Sequence, residues 1–108
     1  MLLLLVGKWL DRRIQMKKSL KLTITGLVQG VGLRTHIQEQ ANKIGNLEGT
    51  AQNMPDGSII VLVCGEAGNV DALVDQVYKG IPKAKIELVL TEALVNTKEL
   101  RGVFRIIG

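Results

Sequence analysis

"SLKLTITGLVQGVGLRTHIQEQANKI", Ser19 to Ile44, changes its hydrophobic period halfway along. Up to Thr25 the chain alternates strictly, with Leu20, Leu22 and Ile24 on one side and Lys21, Thr23 and Thr25 on the other. That is the pattern of a half-buried strand. From Leu33 the apolar residues recur as Leu33, Ile37, Ala41 and Ile44, which draws one stripe along a helix. Gly45 follows as a left-handed cap. Between the two periods lie Gly26, Gly30 and Gly32, each of which costs backbone entropy on folding. The chain therefore leaves a strand, passes through a glycine-rich bend and starts a helix with Arg34 at the exit.

The remaining segments extend that unit. "LEGTAQN" (47–53) reads as a weaker strand, and "NMPDG" (53–57) carries strong turn chemistry. "SIIVLVC" (58–64) is apolar on both sides and β-branched, so it is predicted to run through the middle of a sheet. Val70, Leu73, Val74 and Val77 mark a second amphipathic helix that ends near Gly80 and Pro82. "KIELVLTE" (85–92) is another strand, and "VFRII" (103–107) a short last one. The order strand, helix, strand, strand, helix, strand, with a terminal strand added, mixes hairpin and helix connections. It predicts an α+β fold, the ferredoxin-like βαββαβ sandwich: an antiparallel sheet with both helices on one face. Ile59, Val61 and Val63 are expected to meet the helices beside Leu20, Leu22 and Ile24.

Composition narrows the functional classes. The chain has 108 residues, 46% of them apolar and 22% charged, which is ordinary for one globular domain. With one Trp, one Tyr and one Phe the core must be aliphatic. One cysteine and one histidine supply too few ligands for a zinc site and no internal disulfide. The single thiol fits a reducing compartment, and a cytoplasmic location is expected. The net charge of +4 is shared between residues 1–15, with Lys8, Arg12 and Arg13 against Asp11, and the rest. A compact domain at +2 favours small anions but lacks the basic footprint of a nucleic-acid binder. The candidate outer face of the sheet also lacks the aromatic side chains that stack bases.

Residues 1–15, "MLLLLVGKWLDRRIQ", read as an N-terminal extension ahead of a domain at 16–108. The apolar run is too short for a membrane span and has the wrong flanks for a secretory signal. Leu3, Val6, Leu10 and Ile14 fall at helical spacing, although Gly7 interrupts them. Two readings stay open: an upstream addition with Met16 as the natural start, or a segment that packs on the domain. The outer side of the third strand, Ile60, Leu62 and Cys64, is apolar where an open sheet face is usually polar. Residues 2–10 or a second copy of the chain would cover it; a monomer is expected, with this face as the route to a dimer.

The glycine bend is where chemistry is expected. A helix start leaves four backbone N–H groups without helical partners and carries the positive end of the dipole. Glycines let neighbouring N–H groups converge into an anion nest, and an arginine there grips two oxygens of a phosphoryl group. Taken alone, the bend reads equally well as a plain glycine turn with a surface arginine. Asn53 has the same ambiguity. Its carboxamide can hold a water by accepting one hydrogen and donating another, but by itself it reads as a turn residue.

Together the two segments resemble the acylphosphatase family. "GLVQGVGLR" (26–34) is close to the family's first signature, and "GTAQNMPDGSIIVLVCG" (49–65) keeps the spacing of its second. "GIPKAKIE" (80–87) and "VFRII" are similar to its later segments, so the resemblance covers residues 17–107. It implies the fold already reached, and hydrolysis of a carboxyl–phosphate anhydride to a carboxylate and inorganic phosphate. The family's essential arginine falls on Arg34 and its water-orienting asparagine on Asn53. Its phosphate cradle falls on Gln29, Gly30, Val31, Gly32 and Leu33. No metal or organic cofactor is implied, and the expected partner is a small acyl phosphate. Leu33 and Thr50 replace bulkier residues of the family pattern, which predicts slower turnover with Arg34 and Asn53 intact. Because the chain ends just after its last strand, a stand-alone enzyme is expected; the alternative is a non-catalytic phosphate-binding or regulatory module of the same fold.

Four residues are set aside. His36 lies about 200° around the helix from Arg34 and is read as a surface histidine. Cys64 has no basic neighbour in the pattern and is read as a structural thiol. The rings of Trp9 and Tyr78 are read as packing or surface groups.

Overall fold

The computed structural model describes residues 16–95, 100 and 102–108. The strands are β1 (Lys17–Leu27), β2 (Leu47–Asn53), β3 (Ile59–Glu66), β4 (Lys85–Ala93) and β5 (Phe104–Ile107). Helix α1 spans Leu33–Ile44 between β1 and β2, and α2 spans Ala67–Lys79 between β3 and β4. The sheet order is β4-β1-β3-β2-β5. The first four strands form the expected antiparallel sheet, with Leu22 opposite Val61 and Ile24 opposite Ile59. The terminal strand adds to the edge at β2 in parallel, Gly49 facing Phe104 and Ala51 facing Ile106, so the complete sheet is mixed.

Both alternations resolve as expected. Leu22, Ile24, Ile59, Val61 and Val63 are fully buried on one face. Against them pack Leu33, Ile37 and Ala41 from α1 and Val70, Leu73 and Val77 from α2, in one aliphatic core closed at its edge by Phe104. Each large aliphatic side chain buried in this way contributes roughly 1.5–3 kcal/mol relative to exposure. The helix stripe that begins at Val70 in the pattern starts a turn earlier in the fold, at Ala67. The residue ahead of it, Glu66, makes no side-chain cap.

Two features aim the chain at one end of the sheet. The β1–β4 ladder shifts register between Thr25 and Gly26. At Gly26 the backbone takes φ 132°, and a Cβ there would stand 2.0 Å from the carbonyl oxygen of Lys85. Only glycine permits that approach. The second feature is a tie between α1 and the terminal strand. Gln38 Nε2 donates to the Phe104 carbonyl at 3.3 Å, and Arg34, one turn earlier, reaches the carbonyls that end β5.

The outer face is as apolar as the sequence suggests. Ile60 and Leu62 are half-buried, and Leu88 and Leu90 of the edge strand extend the patch at 59% and 50% exposure. Cys64 is buried there and accepts a hydrogen bond from Ser19 Oγ at 3.1 Å. The extension at 1–15, with Trp9, lies outside the described residues. Tyr78 is exposed, as expected. Among the described residues, no helix is long and apolar enough to cross a membrane.

Candidate active site

The bend after β1 takes the shape its glycines require. Gly30 and Gly32 have φ of 75° and 85°, in the left-handed region. At neither position would a Cβ meet another atom, so the glycines are there for their dihedrals and not for space. Gly32 caps α1 without a side-chain hydrogen bond, and the first helical bond runs from the His36 N–H to the Gly32 carbonyl. The amides of Leu33, Arg34 and Thr35 therefore precede that bond and stand at the positive end of the helix.

A cleft of about 220 Å³ opens over these amides, lined by Val28, Gly30, Gly32, Leu33, Arg34, Thr35 and Asn53. Drug-sized ligands occupy pockets of roughly 300–1,000 Å³, so this cleft suits a compact group. Arg34 and Asn53, separated in sequence, meet here. Asn53 is the last residue of β2, and its Oδ1 is shielded from solvent yet accepts no hydrogen bond from the described residues. A buried acceptor without a partner carries a desolvation cost, and in a cleft wall it marks a place for a donor from outside the chain.

Arg34 is held on its far side. Its Nη1 donates to the carbonyl of Ile107 at 3.1 Å and, more weakly, to that of Gly108 at 3.4 Å. These bonds leave Nε–H and Nη2 uncommitted among the described residues, and those are the donors of one bidentate edge of the guanidinium.

The expected cradle divides. Gly30, Gly32 and Leu33 line the cleft, whereas Val31 and Gln29 do not. The Gln29 side chain turns toward the β2–β3 turn, where Nε2 donates to the carbonyls of Met54 at 2.8 Å and Ser58 at 3.0 Å. Val28 and Thr35 also line the cleft; position next to the motif is the signal that points to Thr35. The grip of Ile107 and Gly108 on Arg34 is made by backbone oxygens, which no residue type announces. His36, expected as a surface histidine, is not in the wall but is half-buried, its Nε2 shielded from solvent and without a hydrogen-bond partner among the described residues. Thr50 lies on β2 opposite Leu62 and is buried, also outside the wall.

The turn itself is tightly made. Asp56 Oδ1 accepts from both the N–H and the Oγ of Ser58, at 2.9 and 2.6 Å. Those bonds, from the hydroxyl first and the amide second, hold the Asp56 carboxyl below the ordinary range.

Comparison with known proteins identifies the family. Residues 20–106 match the acylphosphatase family profile. An acylphosphatase from Chromohalobacter salexigens is 42% identical over 69 residues, covering 64% of this chain and 76% of that protein. Among solved structures, the acylphosphatase from Bacillus subtilis superposes with a TM-score of 0.77 at 27% identity, over 86% of this chain and all of that one. That from Coxiella burnetii gives 0.75 at 26% identity, over 84% and 93%. A match across most of the chain, shared by sequence and fold, makes this chain a member of the acylphosphatase family.

Proposed function

We propose that the cleft hydrolyses acyl phosphates with Arg34 and the loop amides holding the phosphoryl group and Asn53 orienting the water that attacks it. Hydrolysis of carboxyl–phosphate anhydrides follows from the family. The observation that carries it is that Asn53, whose Oδ1 is unsatisfied, lines the same small cleft as Arg34 and the first residues of α1.

The chemistry asks little of the protein. The leaving carboxylate is a weak base with a pKa around 4, so it departs without a general acid. What remains is to place a water in line and to neutralise the phosphoryl oxygens, the usual division of labour in phosphoryl transfer. The uncommitted Arg34 donors and the amides between Gly30 and Thr35 take the oxygens. Asn53 Oδ1 accepts a hydrogen bond from one O–H of the water, which stays as the P–OH of the product, and so directs an oxygen lone pair at phosphorus. The new P–O bond forms from that oxygen as the bond to the acyl oxygen breaks, and the water's other proton passes to a phosphoryl oxygen of the substrate. A cytoplasmic location suits an enzyme with one unpaired thiol.

The test is phosphate release from benzoyl phosphate by the parent and by Asn53→Ala. Turnover is expected to fall by about two orders of magnitude, in line with loss of a positioned reactant, while inhibition by inorganic phosphate stays within a few-fold. Full turnover in Asn53→Ala would remove the water from that residue.

A further inference from the structure

Gln29 sits at the start of the cradle, but its side chain serves a different partner. The β1–β3 ladder ends at Ile24 opposite Ile59. Beyond that point no ladder fixes the glycine bend against the turn that follows Asn53. The Gln29 carboxamide fills the gap, donating at once to Met54, next to Asn53, and to Ser58, across the turn. Both acceptors are already engaged within the turn, Met54 N–H giving to Ser58 O at 2.8 Å and Gly57 N–H to Met54 O at 3.0 Å. The turn is thus a closed unit, braced again by Asp56 against Ser58, and Gln29 docks it whole. Among the described residues, these two bonds are the hydrogen bonds that join the 28–33 bend to the 54–58 turn.

We infer that Gln29 is a positioning residue: it sets the distance between the phosphoryl cradle and the water held by Asn53. The inference rests on the reading of Asn53 and Arg34 given above. Its physical basis is the steep dependence of displacement on geometry, since a misplacement of about 1 Å costs on the order of 100-fold in rate. The residue before Gly30 and the residue after Asn53 are the two ends of that distance. Because Gln29 bonds to main-chain carbonyls, its effect passes through backbone placement and not through contact with substrate.

The experiment compares Gln29→Met, similar in length but without a donor, and Gln29→Glu, similar in shape but presenting acceptors to both carbonyls. Each is made in the parent and in an Asn53→Ala background, with kcat and KM measured on benzoyl phosphate, the inhibition constant for inorganic phosphate, and Tm. Expected are a kcat about 10- to 100-fold lower in the parent background, inhibition by phosphate within about 3-fold, and no further loss of kcat in Asn53→Ala. A general loosening of the fold would instead lower kcat by the same factor in both backgrounds. That result, an unchanged kcat in both variants, or a loss of phosphate affinity matching the loss of kcat would overturn the inference. Asn53→Ala by itself reports on the water assignment, so failure of that reading is seen without reference to Gln29.

Discussion

Replacing Arg34 by alanine tests the anion-binding half of the site. In the free protein its guanidinium spends Nη1 on the carbonyls that end β5 and keeps Nε–H and Nη2 for a ligand. Two hydrogen bonds to a charged acceptor are worth about 1.5–3 kcal/mol each, and a cleft open to solvent puts them at the lower end. A loss of about 3–4 kcal/mol corresponds to roughly 200- to 1,000-fold in binding. Arg34→Ala is therefore expected to lower kcat/KM on benzoyl phosphate by that factor, and to abolish inhibition by inorganic phosphate at concentrations that saturate the parent. Arg34→Lys keeps the charge but not the fork, and should recover only part of the loss. The structural role of Arg34 is small by comparison. Freeing two exposed carbonyls costs about 1 kcal/mol or less, so Tm is expected to move by no more than about 5 °C. Phosphate inhibition of Arg34→Ala within about 3-fold of the parent would refute the assignment, as would a collapse in Tm that accounts for the lost activity.

Two further outcomes are expected from the scaffold. Gly26→Ala must place a Cβ against the Lys85 carbonyl at a φ of 132°, so at least about 2 kcal/mol of stability should be lost, read as a lower midpoint in urea denaturation. The Asp56 carboxyl has its pKa lowered in the fold, so its stabilising effect is present above the unfolded value near 3.9 and is lost as pH falls through the lower folded value. Asp56→Ala should therefore flatten the acid limb of a stability-against-pH curve below about pH 4; an unchanged limb would show that the Ser58 bonds do not favour the carboxylate.

Much of this molecule is legible in its sequence, for a physical reason that differs between elements. The alternation in Leu20 to Ile24 and in Ile59 to Val63 fixes which side is buried, because a one-residue slip would turn every side chain over. The glycine bend is legible because left-handed dihedrals at Gly30 and Gly32 exclude most other residues. Helix α2 is visible from Val70 but not from Ala67, because Glu66 supplies no capping side chain to announce the start. Strand β5 is visible as an apolar run, yet four residues carry nothing that specifies β2 as partner or a parallel direction. The bonds that steer the site are the least legible. Gln29 and Arg34 both end on main-chain carbonyls, and every residue has one.

The grip of the Ile107 and Gly108 carbonyls on Arg34 carries a practical consequence. Anything fused behind Gly108, such as an affinity handle, a reporter or a surface tether, would leave the protein a few ångströms from the guanidinium. An acidic tag joined at that end would compete with phosphate for the arginine, whereas the same peptide placed ahead of Lys17 enters at the opposite end of β1. Preparations of this enzyme that differ only in the end carrying the tag should therefore give different inhibition constants for phosphate, and the choice of fusion site becomes part of the kinetics.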